Sequence, residues 1–281
     1  MDFDLNTLAT ESSVLAPDWL QSYRWCVLNA SNELAEQTFW KQFYRVVEET
    51  CNASTLRDRL AVQSFYNKDD VKYAILPLPS RARDRTQVTH VVTLGIGNDV
   101  ISELQLRRVL TALGVTVRFV GADPTNGRDF EQLGNWSRVA IGAEDSASER
   151  VSVLFGSRSY KWQSMRVRAL LGWLAQLQLS TVDHLWVDNE GAEYAMLRKL
   201  HRQPLHAAGL VLCQLNVEFH GPLARYRQTV RSFRAVVLRF MNDSAFVPLY
   251  VLKPQVHTRI FFVNMENLYC LQKYVHVGAV Q

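Results

Sequence analysis

The chain has 281 residues, 48% hydrophobic and 21% charged, a balance that excludes a disordered chain and permits a sizeable core without staples. Its 31 basic and 27 acidic residues leave a formal charge of +4, too mild to demand a polyanionic partner. No run approaches ~18 apolar residues, so no transmembrane segment is expected, and the acidic start Met1-Asp2-Phe3-Asp4 lacks a signal-peptide core.

The first 80 residues read as helical. Leu34, Phe39, Trp40, Phe43, Tyr44 and Val47 recur at three- and four-residue intervals, with Ser31 as an N-cap, and a second short helix is expected from Ser54 to about Phe65. Two prolines and a charged run, Leu76 to Arg85, then mark a boundary. Beyond it strands and helices alternate. Val88–Leu94, Val115–Val120, Val139–Ile141, Val182–Val187 and Leu210–Val217 read as strands, with an additional one at Val151–Phe155. Asp99–Leu113, Ser164–Leu177 and Ala192–His201 read as helices, and Gly221-Pro222 opens a long one carrying Leu223, Tyr226, Val230, Phe233, Val237 and Phe240 on one stripe. Phe246–Leu252 and Arg259–Val263 close the chain as an antiparallel pair. This pattern predicts an α/β fold: a doubly wound, mostly parallel, seven-stranded sheet over 87–281, preceded by a helical segment over 1–86.

Four cysteines, Cys26, Cys51, Cys213 and Cys270, match neither a zinc spacing nor a small disulfide scaffold. Buried thiols in a reducing, cytoplasmic compartment are expected. The triplets Asn29-Ala30-Ser31, Asn52-Ala53-Ser54 and Asn135-Trp136-Ser137 fit the glycosylation pattern and leave secretion open.

In an open α/β sheet, ligands bind beyond the carboxyl ends of the strands. After the first strand, Leu94-Gly95-Ile96-Gly97-Asn98-Asp99 gives two glycines before a helix, with no third glycine for a pyrophosphate turn. After the second comes Asp123-Pro124, where a carboxylate suits two ribose hydroxyls or, equally, a turn. After the third come Ile141 and Glu144. After the fourth, Asp188, Glu190 and Glu193 gather within six residues around Gly191. On the fifth strand Gln214, Asn216 and Glu218 share one face, either as a buried network or as a cleft lining, and His220 follows as a candidate proton acceptor. Oxygen ligands at Asp188, Glu190 and Glu218 would suit a hard cation; no metal is assigned.

Val182-Asp183-His184-Leu185-Trp186-Val187-Asp188-Asn189-Glu190-Gly191-Ala192-Glu193 resembles the D-x-L-K-I-D-V-E-G-A-E segment of FkbM-type S-adenosylmethionine-dependent methyltransferases. Val120-Gly121-Ala122-Asp123-Pro124 is similar to that family's F-E-P step, and Arg138 to Gly142 to its N-x-A-L/V-S/G strand. The likeness spans about 88–263, with an animal-branch wording that includes a closing Cys270-x-x-x-Tyr274. Trp186 stands where the family commonly has lysine, and Thr93-Leu94 where many members have aspartate. The resemblance implies a Rossmann-like methyltransferase sheet and O-methylation of a hydroxyl on a small molecule or sugar. S-adenosyl-L-methionine would be held by Gly95, Gly97, Asp99, Asp123, Pro124, Ile141, Glu144 and Asp188. Asp188, Glu190, Glu218 and His220 are the candidate catalytic groups. The departures motivate an alternative, a binding protein that keeps the fold without the activity. Arg81, Arg83, Arg85, Arg225, Arg227, Arg231 and Arg234 motivate a third reading, nucleic-acid binding, which ranks below both because arginines opposite an apolar stripe are ordinarily a solvated face. No nucleic-acid partner is therefore expected.

Overall fold

A computed structural model describes residues 16–68, 70–79, 88–97, 99–155, 159–222 and 226–275. Three helices lead: α1 (Asp18–Glu33), α2 (Glu36–Arg45, continued by a π-turn to Thr50) and α3 (Ala53–Arg59). The aromatic stripe of α2 is core packing. Phe39 and Phe43 are fully buried, and Trp40 meets Phe233 edge-on at 4.7 Å. The helix expected to reach Phe65 stops at Arg59. Ala61, at φ 50°, turns the chain into a hairpin of β1 (Val62–Tyr66) and β2 (Val71–Ile75). Tertiary partners explain the difference. The side-chain amides of Gln214 and Asn216 bond both the N–H and the C=O of Ile75 and Tyr73, at 2.8–3.0 Å, and so stand in for a neighbouring strand.

The main sheet is built from β3 (Val88–Leu94), β4 (Thr116–Ala122), β5 (Gly134–Ser137), β9 (Thr181–Val187), β10 (Val211–His220), β11 (Phe246–Val251) and β12 (His257–Asn264). The intervening strands β6 (Ala140–Gly142), β7 (Ser146–Phe155) and β8 (Ser159–Ala169) form a separate three-stranded arm. The main order is β11-β12-β10-β9-β3-β4-β5. Every neighbouring pair is parallel except those made by β12, which runs against both β10 and β11. The apolar runs of β9 and β10 are buried along nearly their whole length, as strands covered on both faces must be.

Four expectations change. Val139–Ile141 is no strand of the main sheet. It pairs with β8 in the arm, and the sheet edge is taken by Gly134–Ser137, too short and too polar to show as a strand in sequence. Ser164–Leu177 is strand up to Ala169 and helical only in α5 (Leu170–Gln176), because Tyr160 to Val167 pairs antiparallel with β7. Ala192–His201 divides into α6 (Glu193–Leu197) and α7 (Arg202–Ala207). The long helix, α8 (Val230–Asp243), starts not at Pro222 but after Thr229, where Thr229 and Ser232 exchange side chain-to-backbone hydrogen bonds in a capping box. Tyr226 is therefore outside its stripe. Helix α4 (Ile101–Ala112) follows β3 as expected.

The thiol expectation also fails. Cys26–Cys51 ties α1 to the end of the π-turn, and Cys213–Cys270 ties β10 to α9 (Leu268–Tyr274). Partners 25 and 57 residues apart meet only through the tertiary fold. Such bridges belong to oxidising compartments, against a reducing, cytoplasmic setting. Helix α9 is further anchored by Asp183, whose carboxylate accepts from Tyr274 Oη at 2.7 Å and Lys273 Nζ at 2.8 Å, so both ends of the Cys270-x-x-x-Tyr274 motif are structural. Among the described residues, no helix is long and apolar enough to cross a membrane.

Candidate active site

A cavity of about 640 Å³ opens at the carboxyl ends of β3, β4 and β9, with the β6–β8 arm as its outer wall. Gly95, Gly97, Asp123, Pro124, Ile141, Asp188 and Glu190 all line it. At Gly95 the backbone bonds Ala122, Asp188 N–H bonds Leu94, and an added Cβ would stand 1.8 Å from the Asp188 carbonyl oxygen. Only glycine permits that approach, which its φ of +76° also requires. Gly97, at φ +61°, has nothing within 4 Å of where a Cβ would stand, so bare backbone faces the cavity there.

Asp123 lines the cavity yet is nearly buried. Its Oδ1 accepts from Thr125 N, Thr125 Oγ1 and Asn126 N at 2.7–2.9 Å, and Oδ2 from Gly97 N at 3.0 Å. The carboxylate thus couples the loops after β3 and β4, with one Oδ2 lone pair left for a ligand. Asp99 and Glu144 stand away from the cavity lining. Asp99 caps α4 through Ile101 N and holds Lys68 N, and Glu144 pairs with Lys199. The wall beside Ile141 is instead fixed by Asn189, whose amide donates to Ile141 O at 2.9 Å.

The acids after β9 meet the end of β10 around His220. Its ring is only 3% exposed, with Nδ1 2.9 Å from Glu193 Oε1, and Nε2 3.2 Å from Glu190 and 3.7 Å from Asp188. Burial opposes charge on this ring, but Glu193 and then Glu190 outweigh it and push the pKa up to about 12. Glu193 Oε1 also accepts from Asn189 N and Gly191 N, which shapes the loop that holds Glu190 at φ 49°. Burial would raise Glu190, but hydrogen bonds from His220, Tyr160 and Tyr226 bring it below the ordinary carboxylate value. Asp188 behaves oppositely. Burial and the neighbouring Glu218 hold its carboxyl well above the usual range, and about a third of the side chain remains open. Glu218 is off the cavity wall. Burial lifts its carboxyl to about 6, against the pull of Arg259, which grips both Glu218 and Asp70.

Two triads bring ligand-capable atoms within 4.8 Å of one another: Asp188, Glu190 and His220, and Glu218, His220 and His257. Both depend on His220, whose ring nitrogens already face carboxylates, so neither is assigned a metal.

Sequence reasoning missed half of the wall. Arg150, Tyr160 and Trp162 come from the arm, and Tyr226 and Arg227 from the loop before α8. The sequence marks Val151–Phe155, within β7, as a strand, but its mixed polar and aromatic continuation gave no signal for the rest of the arm, and the apolar spacing of Tyr226 mimicked a helix face. It also missed what β2 contributes. Lys72 lies 5.0 Å over the buried Trp186 ring and bridges Glu103 and Asp70, so an ammonium from the N-terminal hairpin stands at the strand position where the resemblance leads one to expect lysine. Of the arginines considered for nucleic acid, Arg231 faces Glu36 and Arg234 bonds Asn32 O, while Arg81, Arg83, Arg85 and Arg225 lie outside the described residues.

The model of the Methyltransferase FkbM domain matches residues 55–245, two thirds of the chain, from α3 to the turn before β11. No curated protein matches the chain. A family match of this extent, over a sheet whose strand ends form the cavity just described, is conclusive: the chain belongs to the methyltransferase FkbM family.

Proposed function

We propose that the protein transfers a methyl group from S-adenosyl-L-methionine to a hydroxyl of a small molecule or sugar, within a Rossmann-like, doubly wound sheet. The observation that carries this is the meeting, in one cavity, of bare backbone at Gly97, the coupled Asp123 and the partly open Asp188. The strand order, with one reversed strand second from the edge, is the layout expected of methyltransferase sheets and supports the same reading. The donor set fits: Gly95 and Gly97 suit close approach, the spare Oδ2 lone pair of Asp123 suits a ribose hydroxyl, and the wall by Ile141 suits an adenine face. When bound, the cofactor supplies a methyl group on a cationic sulfonium.

The chain's own residues do the rest. The cavity holds the two reactants in line, and positioning of this kind accounts for roughly 7–11 kcal/mol of a barrier. Asp188, whose raised carboxyl makes it a stronger base than an ordinary aspartate, takes the acceptor's proton. His220 keeps its proton at neutral pH and acts as a fixed cation that aligns Glu190 and Glu193 rather than as the base. Glu218 orients Arg259 behind this cluster.

The test is calorimetric titration with S-adenosylhomocysteine, followed by a methyl-donor assay against cell extract. Binding with methyl incorporation is expected, and absence of binding refutes the proposal. The alternative, a fold without activity, predicts binding and no incorporation over a broad panel of hydroxylated acceptors. The departures that motivate it, Thr93, Leu94 and Trp186, are each 1% exposed inside the sheet and take nothing from the cavity wall, which favours the active reading.

A further inference from the structure

The β7–β8 arm forms one wall of the cavity. Ser152 pairs with Trp162 and Leu154 with Tyr160, so these four side chains and Arg150, two residues along β7, stand on the same side of the ladder. All five line the cavity. Trp162 and Tyr160 are nonetheless 41% and 53% exposed, large aromatic surfaces open in a concave wall. Isolated exposed aromatics need no explanation, but a contiguous set inside a cavity marks a recognition surface. Tyr226 extends the plate, its ring 6.5 Å from Trp162. The hydroxyl of Tyr226 donates to Glu190, and Tyr160 also hydrogen-bonds Glu190, which ties the plate to the acid beside Asp188.

Charge is distributed unevenly along the wall. Asp123, Asp188 and Glu190 stand on the sheet side. On the side of the arm and the loop before α8, Arg150 and Arg227 stand with a single acid, Glu149, so that side is net positive; both arginines are exposed, and among the described residues neither forms an ion pair. The Arg150 guanidinium lies 5.8 Å from the Trp162 ring centroid, and Arg227 is held at φ 54°, a backbone conformation that side chains other than glycine adopt only when the surroundings impose it.

We propose that this face is the acceptor subsite, and that the acceptor is a hydroxylated ring carrying an anionic group. The ring packs on Trp162 with Tyr160 and Tyr226 at its edges, the anion is met by Arg150 and Arg227, and the hydroxyl is directed toward Asp188. The inference rests on the methyl-transfer reading of the same cavity. Acids toward a cationic donor and arginines toward an anionic acceptor give each ligand its own end, and guanidinium suits a carboxylate or phosphate through paired N–H donors.

The test uses the full, disulfide-intact chain saturated with S-adenosylhomocysteine. Binding of 4-hydroxybenzoate and of glucuronate is compared by calorimetry with that of their neutral counterparts, 4-hydroxybenzyl alcohol and methyl glucoside. At least one acid is expected to bind about tenfold or more tightly than its neutral partner. The stronger acid identifies an aromatic or a sugar ring. Arg150→Ala with Arg227→Ala removes that preference, and Trp162→Ala weakens the acid by about tenfold, while homocysteine-cofactor affinity stays unchanged in both variants. Equal binding of acid and neutral probes, or no binding of either to the cofactor-loaded protein, overturns the subsite. Failure of S-adenosylhomocysteine itself to bind overturns the underlying methyl-transfer reading instead.

Discussion

Replacing His220 by glutamine tests whether the ring is the buried cation that organises the site. His220 and Glu193 are almost wholly excluded from water, and among the described residues the ring is the one side-chain group that meets Glu193 Oε1, beside two backbone N–H groups. Glutamine keeps a donating amide NH2 at one position only and removes the charge, leaving Glu193 and Glu190 buried without their counter-ion. Breaking a buried pair from one side costs about 3–5 kcal/mol. At ~2–4 °C per kcal/mol for a domain of this size, the melting temperature falls by roughly 6–20 °C. The pH dependence has a definite sign. The folded-state pKa, about 12, lies above the ordinary 6.5, so the folded state binds the extra proton. That stabilisation is complete below pH 6.5 and is lost as pH rises from there through the folded value. Thermal melts followed by circular dichroism at pH 6, 8 and 9.5 should show the wild type losing stability with pH and the variant lacking that component. A variant that melts within about 2 °C of wild type at pH 6, or that keeps the wild-type alkaline slope, refutes the buried imidazolium.

Three further outcomes follow from the same geometry. Asp188→Asn removes the proposed base and should lower methyl transfer by roughly 10²–10⁴-fold, with S-adenosylhomocysteine affinity, read by calorimetry, nearly unchanged. Gly95→Ala sets a methyl 1.8 Å from the Asp188 carbonyl oxygen at a left-handed φ, so cofactor binding should be lost, together with more than ~1–3 kcal/mol of stability in denaturant titration. Removing the Cys213–Cys270 bridge as a double serine variant releases a 57-residue loop, worth ~4 kcal/mol in the chain-entropy account. Melting of the wild type should fall by at least as much on reduction, which opens Cys26–Cys51 as well, and unreduced protein should contain no titratable thiol among the described cysteines.

What the sequence revealed and what it hid divide along physical lines. β3, β4, β9 and β10 are buried on both faces, so their β-branched runs are legible without any tertiary knowledge. The Asp188–Glu193 block stood out because three acids beside a glycine at a strand end have few structural uses, and the fold does bring them to one histidine. The polar stripe on β10 was visible too, and of its two open readings the buried network is the one the fold shows. Gln214 and Asn216 bond β2, and Glu218 pairs with Arg259 off the cavity wall. The arm was legible only in part, at Val139–Ile141 and Val151–Phe155. Polar Ser152 and Arg150 share a face with Trp162 and blur the period. Cysteine pairing depends on which elements fold together, and no local spacing carries that information.

The N-terminal hairpin, a two-stranded sheet of its own, is joined to the main sheet through side chains of β10. Gln214 and Asn216 are at least 92% buried, and their side-chain amides make four hydrogen bonds to the backbone of β2. Lys72 neutralises the wholly buried Glu103, and Asp70 shares Arg259 with Glu218. A chain beginning at residue 87 would leave two buried amides without partners and the buried Glu103, still bonded by Thr93 and Ser102, without its counter-ion, at ~1–3 kcal/mol for each neutral group and more for the charge, against a total stability of about 5–15 kcal/mol for a typical domain. It should therefore fail to fold cooperatively, whereas a chain beginning before α3, at the edge of the family match, keeps the hairpin. A sharp, cooperative melt from residues 87–281 alone would show that the sheet is independent of β2, and with it that Lys72 and Asp70 are ornaments of the site rather than parts of it.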